Sequence, residues 1–176
     1  MSAARTLAIV GAECSGKSAL AAALGKALPA VVVPEHLRSF VDANGRAPTL
    51  HEQRGVMEAQ IAAERAAAAL HDGWIVSDAG ALVTAVYSVL YFDDEGLLEA
   101  ALAHHRRAYV LTVWCGIDLP WVEDGMQRDG EDYRRRGDEI LASVLADVSF
   151  AVAPVSGSAS QRLEAVQRRL AAMPAC

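Results

Sequence analysis

The sequence contains little lysine and no long apolar run, and acidic residues outnumber basic ones. Only Lys17 and Lys26 are lysines among 16 basic residues, and the net charge is -6. This balance argues against a protein that binds nucleic acid or an anionic membrane through bulk charge. No segment reaches the roughly 18 consecutive apolar residues of a transmembrane helix. The N-terminal apolar run leads directly into a glycine-rich segment, which predicts a strand rather than a signal peptide.

Cysteine and histidine occur without the spacing of a metal site. Cys14, Cys115 and Cys176 are far apart and odd in number, so they form neither a zinc pattern nor a disulfide framework. Their scarcity favours a reducing, cytoplasmic setting. The histidines are expected at surface or helix positions; they are His36, His51, His71, His104 and His105.

The composition supports a folded α/β protein. With 176 residues, of which 53% are hydrophobic, the chain is expected to form a single domain over residues 1–176. Short apolar segments predict strands at residues 6–10, 30–33, 74–78, 109–114 and 150–155. Helical segments separate these strands. The alternation predicts a five-stranded, mostly parallel sheet with helices on both faces. Together with the motif described next, it predicts the three-layer fold of P-loop NTPases.

Residues 11–18, GAECSGKS, match the phosphate-loop pattern G-x-x-x-x-G-K-[ST] without a mismatch. The glycines allow backbone N–H groups to surround phosphate oxygens, while the lysine supplies a cation and the final serine offers a hydroxyl to Mg²⁺. A strand precedes the motif and a helix follows it, which directs the positive helix end at the phosphates. The predicted nucleotide-binding residues are Gly11, Glu13, Cys14, Ser15, Gly16, Lys17 and Ser18.

Other features select among the classes of P-loop protein. Because the lysines lie only at positions 17 and 26, the N-K-x-D run that reads guanine in GTPases is excluded, and the chain is short for a motor. A small-molecule kinase using ATP and Mg²⁺ fits best. Such an enzyme needs a carboxylate near the γ-phosphate and a lid with arginine.

Two acids lie at the carboxyl ends of predicted strands, which form the edge of the sheet where ligands bind. Asp78 ends the third strand and is a candidate to hold Mg²⁺ or take the acceptor proton; a helix N-cap is the alternative. Glu35 follows the second strand and is a candidate for orienting or deprotonating the acceptor hydroxyl; a favourable first-turn acid is the alternative. Arg38, one turn later, could pair with Glu35 or with substrate, or lie on the surface.

Residues 118–137 are rich in charge and glycine and are predicted to form a lid after the fourth strand, leading into a helix over residues 133–145. Arg128 is the first candidate to reach the transferring phosphate. Trp121 follows a proline in this polar segment, so it could stack on a planar base or anchor the loop in the core.

Four blocks together resemble the NadR-type ribosylnicotinamide kinases. They are GAECSGKS at 11–18, VPEHLRSF at 33–40, SDAGALVTAVY at 77–87, and PWVEDG at 120–125 followed by Arg128. The resemblance implies a P-loop kinase that transfers phosphate from ATP to the 5′-hydroxyl of nicotinamide riboside. It places Glu35, Arg38 and Asp78 at the riboside and Mg²⁺, with Trp121 and Asp124 at the acceptor and Arg128 at the phosphates. It also implies an adenine-side loop at residues 155–158, including Gly157, with Arg162.

One position departs from that family in a way that bears on the acceptor. The third block of the family carries a second acid where this chain has Gly80. Two other readings therefore stay open: a kinase for another nucleoside or small hydroxyl compound, and a nucleotide-gated binding module with little turnover. The expected partner is a small-molecule nucleoside, with no nucleic acid or membrane, and the oligomeric state is left open.

Overall fold

The computed structural model describes residues 4–122 and 130–173. Its strands are β1 (Arg5–Val10), β2 (Val31–Val33), β3 (Trp74–Asp78), β4 (Tyr109–Cys115) and β5 (Val152–Val155). Its helices are α1 (Lys17–Ala27), α2 (His36–Asn44), α3 (Leu50–Leu70), α4 (Ala81–Phe92), α5 (Leu98–Ala108), α6 (Glu131–Ala146) and α7 (Ala159–Ala171). The predicted alternation of strands and helices is confirmed.

The strands form one sheet in the order β2-β3-β1-β4-β5, and all neighbouring strands run parallel. The sequence predicted a mostly parallel sheet, and every pair in the described part of the chain is parallel. Strand β1 lies in the centre, so Gly11 leaves the sheet between the ends of β3 and β4. In open parallel sheets this edge is where ligands bind.

Helices cover both faces of the sheet, as predicted. On one face, Leu7 and Ile9 of β1 belong to a buried cluster with Leu20 and Leu24 of α1, and α7 adds Val166. On the other face, a second cluster joins residues of α4, α5 and α6. Within the described residues, no helix has the length and apolar character needed to span a membrane.

Local features set one end of α2 and of α6. Helix α2 runs to Asn44. It ends there because Gly45 adopts a left-handed φ of 65° and its N–H donates to Val41 O at 2.8 Å. Helix α6 begins at Glu131 instead of residue 133, since Glu131 and Asp132 place negative charge in its first turn.

Candidate active site

The loop between β1 and α1 is curled by its own backbone. Cys14 and Gly16 have left-handed φ angles of 55° and 82°. Ser15 Oγ donates a hydrogen bond across the loop to Ala12 O at 2.7 Å. A Cβ at Gly16 would lie 2.9 Å from Leu119 Cδ1, so glycine is required there by both φ and space. The motif residues therefore have the compact turn that phosphate binding demands.

The charged and hydroxyl groups of the motif lie where the loop meets α1. Lys17 is the first residue of α1 and is 8% exposed, with Nζ donating to Ala12 O at 2.9 Å. Ser18 is exposed to solvent. A helix N-terminus with free N–H groups and an adjacent ammonium favours an anion.

Arg162 supports this loop from behind. Its side chain is 2% exposed, its Nη1 donates to Ser15 O, and its Nε donates to Gly157 O at 2.9 Å. Its Nη2 also contacts Asp118 Oδ1 at 2.6 Å, and Asp118 Oδ2 accepts from the Gly157 N–H at 2.6 Å. The arginine thus ties the phosphate loop to the segments after β4 and β5. The adenine-side role that the family resemblance implies for Gly157 and Arg162 stays a prediction.

A cavity of about 510 Å³ opens beside the phosphate loop. Its polar lining consists of the loop residues together with Glu35, Arg38 and Gln53. Its apolar and aromatic lining consists of Leu37, Val41, Ala47, Pro48, Tyr87, Tyr91 and Phe92. The phosphate loop, the predicted acid Glu35 and an aromatic wall formed by Tyr87, Tyr91 and Phe92 therefore line a single cavity.

Glu35 is the predicted acceptor-side acid that lines this cavity. Burial raises the pKa of the Glu35 carboxyl above its ordinary value, and the negative charge of Asp78 adds to the increase. Lys17 and Arg38 act in the opposite direction and lower the same pKa. Lys17, Asp78 and Arg38 therefore lie within electrostatic reach of the Glu35 carboxyl. Although Glu35 is the N-cap residue of α2, its side chain makes no capping hydrogen bond.

Asp78 is buried at the end of β3, beside Ile9 of β1. Its Oδ1 has no hydrogen-bond partner among the described residues. Helix α4 begins at Ala81 with Gly80 as its N-cap and no side-chain cap, so the alternative role of Asp78 as the cap is not observed. A buried carboxylate oxygen without a donor suits a cation.

The described residues contain no cluster of three or more His, Cys, Asp or Glu side chains able to hold a metal ion. Mg²⁺ in nucleotide sites is held by one or two protein oxygens together with phosphate oxygens and water. The hydroxyl of Ser18 and the carboxylate of Asp78 fit that limited protein share.

Gly80 is enclosed by the sheet. A Cβ at this position would lie 2.9 Å from Ala8 Cβ and 3.1 Å from the hydroxyl oxygen of Tyr109. An aspartate would displace one of these neighbours. Where the NadR-type block has its second acid, this chain therefore has a glycine whose close neighbours leave no room for a side chain.

Among the described residues, the aromatic lining of the cavity comes from α4 and does not include Trp121. Trp121 is half-buried, and its Nε1 lacks a hydrogen-bond partner among the described residues. It does not appear among the described residues that line the cavity, where Tyr87, Tyr91 and Phe92 of α4 lie instead. Sequence reasoning did not single out Tyr91 or Phe92; their spacing after Tyr87 on one helix was the available signal. Asp124 and Arg128 lie outside the described residues.

Two of the five histidines are buried rather than exposed at the surface. His104 and His105 lie on α5, as allowed, but are 4% and 0% exposed. Burial lowers the pKa of His105 to about 3, so its ring is neutral at working pH. Its Nε2 then accepts from the Leu82 N–H at 3.2 Å, and its Nδ1 faces Thr112 Oγ1 at 3.0 Å. The buried ring of His105 is tolerated in the core because both of its nitrogens have hydrogen-bond partners.

The sequence matches the family model described as an AAA domain over residues 6–162. The chain belongs to this AAA domain family. No curated protein matches the chain significantly.

Solved structures of kinases have the same fold. A NadR protein in complex with NAD and AMP-PNP has a TM-score of 0.76 at 18% identity, covering 98% of this chain and 51% of that chain. A thymidylate kinase from Candida albicans has a TM-score of 0.72 at 14% identity, with coverage of 96% and 92%. A deoxyadenosine kinase from M. mycoides has a TM-score of 0.68 at 13% identity, with coverage of 96% and 100%. At these identities the likeness shows a shared P-loop kinase fold, and the chain spans about half of NadR.

Proposed function

We propose that this AAA-family chain is an ATP-dependent kinase that phosphorylates the 5′-hydroxyl of nicotinamide riboside. The observation that carries the proposal is the shared cavity, in which the phosphate loop and Glu35 face an aromatic wall from α4. The nucleoside-kinase-like fold supports the reaction class, and the four sequence blocks favour the riboside. On this view residues 1–176 act as one kinase domain working in the cytoplasm.

The reaction requires a proton acceptor and a cation at the transferring phosphate. The 5′-oxygen attacks the γ-phosphorus, its proton passes to the Glu35 carboxylate, and the bond to the β-phosphate oxygen breaks to release ADP. Lys17 balances the charge that develops on the phosphoryl oxygens. Ser18 and Asp78 would hold Mg²⁺, which supplies further neutralisation of the phosphates when bound.

The nicotinamide riboside would bind between Glu35 and the aromatic wall. The positively charged pyridinium ring of nicotinamide riboside would lie against the aromatic wall, where a cation over a ring face contributes about 1–2 kcal/mol when desolvated. Trp121 and Asp124 would complete this side, with Arg38 near the riboside and Arg128 at the phosphates. Gly157 and Arg162 would lie on the adenine side.

A second candidate is a kinase for an uncharged nucleoside. The close packing around Gly80 favours it, because the chain lacks an acid at a position where the NadR-type block has one. The ribose hydroxyls would then depend on Glu35 and Asp78 alone. A binding module with little turnover is the remaining outcome.

A competition assay tests the proposal. The purified chain is incubated with ATP, Mg²⁺ and an equal mixture of nicotinamide riboside, deoxyadenosine, thymidine and cytidine, and the monophosphates are measured by mass spectrometry. We expect nicotinamide mononucleotide to form fastest. Faster formation of another monophosphate supports the second candidate, and absence of every product contradicts a kinase for these acceptors.

A further inference from the structure

A buried polar cluster connects the backbone beside Glu35 with the strand that ends at Asp78. The Glu64 cluster consists of Gln60, Glu64, Ser77, His104 and Tyr109, which come from α3, β3, α5 and β4. None of these side chains belongs to the sequence motifs of the nucleotide site except the serine that precedes Asp78. All five residues are buried, between 0% and 7% exposed.

The carboxylate at the centre of the cluster is fully occupied by donors. The Tyr109 hydroxyl lies 2.7 Å from Glu64 Oε2 and 2.9 Å from Glu64 Oε1. His104 Nε2 lies 2.9 Å from Glu64 Oε2, and Ser77 Oγ donates to Glu64 Oε1. A buried carboxylate is costly to desolvate, and a well-packed apolar group often gives equal stability at such a place. Its presence calls for a role beyond filling the core.

One arm of the cluster reaches the backbone next to Glu35. Gln60 Nε2 donates to Ser77 Oγ at 3.1 Å, and Gln60 Oε1 accepts from the His36 N–H at 2.8 Å. His36 is the first residue of α2 and follows Glu35 directly. The side chain of Glu35 makes no capping hydrogen bond, so this contact from α3 holds the first residue of α2 directly beside Glu35.

The other arm holds the turn that carries Asp78. Ser77 precedes Asp78 in β3, and the Tyr109 hydroxyl oxygen lies against Gly80, 3.1 Å from where a Cβ would stand, just before α4 begins. Between them Ala79 adopts a left-handed φ of 58°, an unfavourable conformation for alanine. Such a backbone persists only where its surroundings hold it on both sides.

We propose that Glu64 is a positioning residue that fixes Glu35 and Asp78 relative to each other through this cluster. The proposal rests on the proposed function, since it gives these two acids work to do together. Glu64 touches neither nucleotide nor acceptor in this account. It acts through Gln60 on one acid and through Ser77 and Tyr109 on the other.

The test compares Glu64→Gln with Glu58→Gln, the same chemical change at an exposed position of the same helix. Two readouts are taken: kcat and KM for nicotinamide riboside, and the gain in affinity for a fluorescent ATP analogue when Mn²⁺ is added. For Glu64→Gln we expect kcat to fall about tenfold or more, because small displacements of reacting groups are costly. We also expect the Mn²⁺-dependent gain to shrink while metal-free affinity stays near wild type, since the phosphate loop is untouched.

If Glu64→Gln does not fold, Tyr109→Phe takes its place, because it keeps the ring and removes only the hydroxyl that donates to Glu64 and lies beside Gly80. We expect it to reduce the Mn²⁺-dependent gain in the same direction. The proposal is overturned if Glu64→Gln and Tyr109→Phe both stay folded and both keep the wild-type kcat and the wild-type gain in nucleotide affinity on adding Mn²⁺. If the wild-type chain phosphorylates no acceptor, the proposed function fails, but the Mn²⁺ readout still decides whether Glu64 positions Asp78.

Discussion

The phosphate side of the cavity is built from consecutive residues, whereas the acceptor side is assembled from separate elements. The phosphate loop makes its own turn through Cys14 and Gly16 and carries its cation at the next position. Glu35 and Asp78 instead lie on two strand ends, and a cluster of side chains from further elements connects the segments that carry them. A short motif thus suffices to specify the turn that we propose binds phosphate, whereas the proposed acceptor geometry depends on contacts between distant segments.

Replacing Lys17 is expected to give the largest effect. Lys17→Ala removes the cation of the phosphate loop, so kcat should fall at least about a hundredfold. Lys26→Ala, an exposed lysine at the end of the same helix, is the matched control and should retain activity. Steady-state phosphorylation kinetics measure both variants. Near wild-type turnover by folded Lys17→Ala would remove the phosphate side from the mechanism.

Asp78→Asn tests the proposed Mg²⁺ ligand with almost no change in shape. It removes the charge of a buried carboxylate whose Oδ1 lacks a partner among the described residues, so kcat should fall by about a hundredfold at saturating ATP. The melting temperature should change little, since Asp78 caps no helix. Asp72→Asn, an exposed change before the same strand, is the control. A large loss of stability with normal kcat would make Asp78 structural.

Glu35 gives the acceptor side a pH signature. Burial and Asp78 raise the pKa of the Glu35 carboxyl, so as pH falls this group takes up its proton earlier than an ordinary glutamate. If the carboxylate is the base, kcat/KM should fall on the acid side with a midpoint above the usual glutamate range. Glu35→Gln should lower the plateau by about tenfold to a hundredfold and abolish that limb. An acid limb that persists in Glu35→Gln would assign it to another group.

The smallest effect on KM is expected at the aromatic residues. Comparing variants of Trp121 and Tyr87 shows which of the two contacts the charged ring of the substrate. A desolvated cation–ring contact of about 1–2 kcal/mol corresponds to a change in KM of about five- to thirtyfold. Trp121→Ala and Tyr87→Leu are compared for nicotinamide riboside and for an uncharged nucleoside, with Trp121→Phe and Tyr87→Phe as ring-retaining controls. The variant whose KM rises for the charged substrate alone identifies the ring partner. Equal changes for both substrates in every variant would argue against a cation–ring contact.

The fold could be predicted from the sequence because its signals are local. Apolar strands alternate with helices, and the glycines and the single lysine of the phosphate loop occur within eight consecutive positions. The charges that favour the start of α6 act more weakly, so its predicted start at residue 133 was wrong by two residues.

The acceptor side was less predictable because its contacts span the chain. Glu64 lies on an alanine-rich helix segment, and nothing in its local pattern indicates that it meets Tyr109 across 45 positions. His104 and His105 look like polar helix residues until the packing of α5 against β4 buries them. The lack of space at Gly80 likewise depends on Ala8 and Tyr109, which no motif connects.

The fate of the γ-phosphate is the most direct test of a transferase that uses both sides of the cavity. The wild-type chain, Lys17→Ala and Asp78→Asn are incubated with Mg²⁺, nicotinamide riboside and ATP labelled at the γ-phosphate, and the labelled products are separated. We predict that the wild-type chain transfers label to nicotinamide mononucleotide well above its release as inorganic phosphate, and that both variants lose this transfer. Label that appears only as inorganic phosphate, or that stays on ATP, would contradict the account.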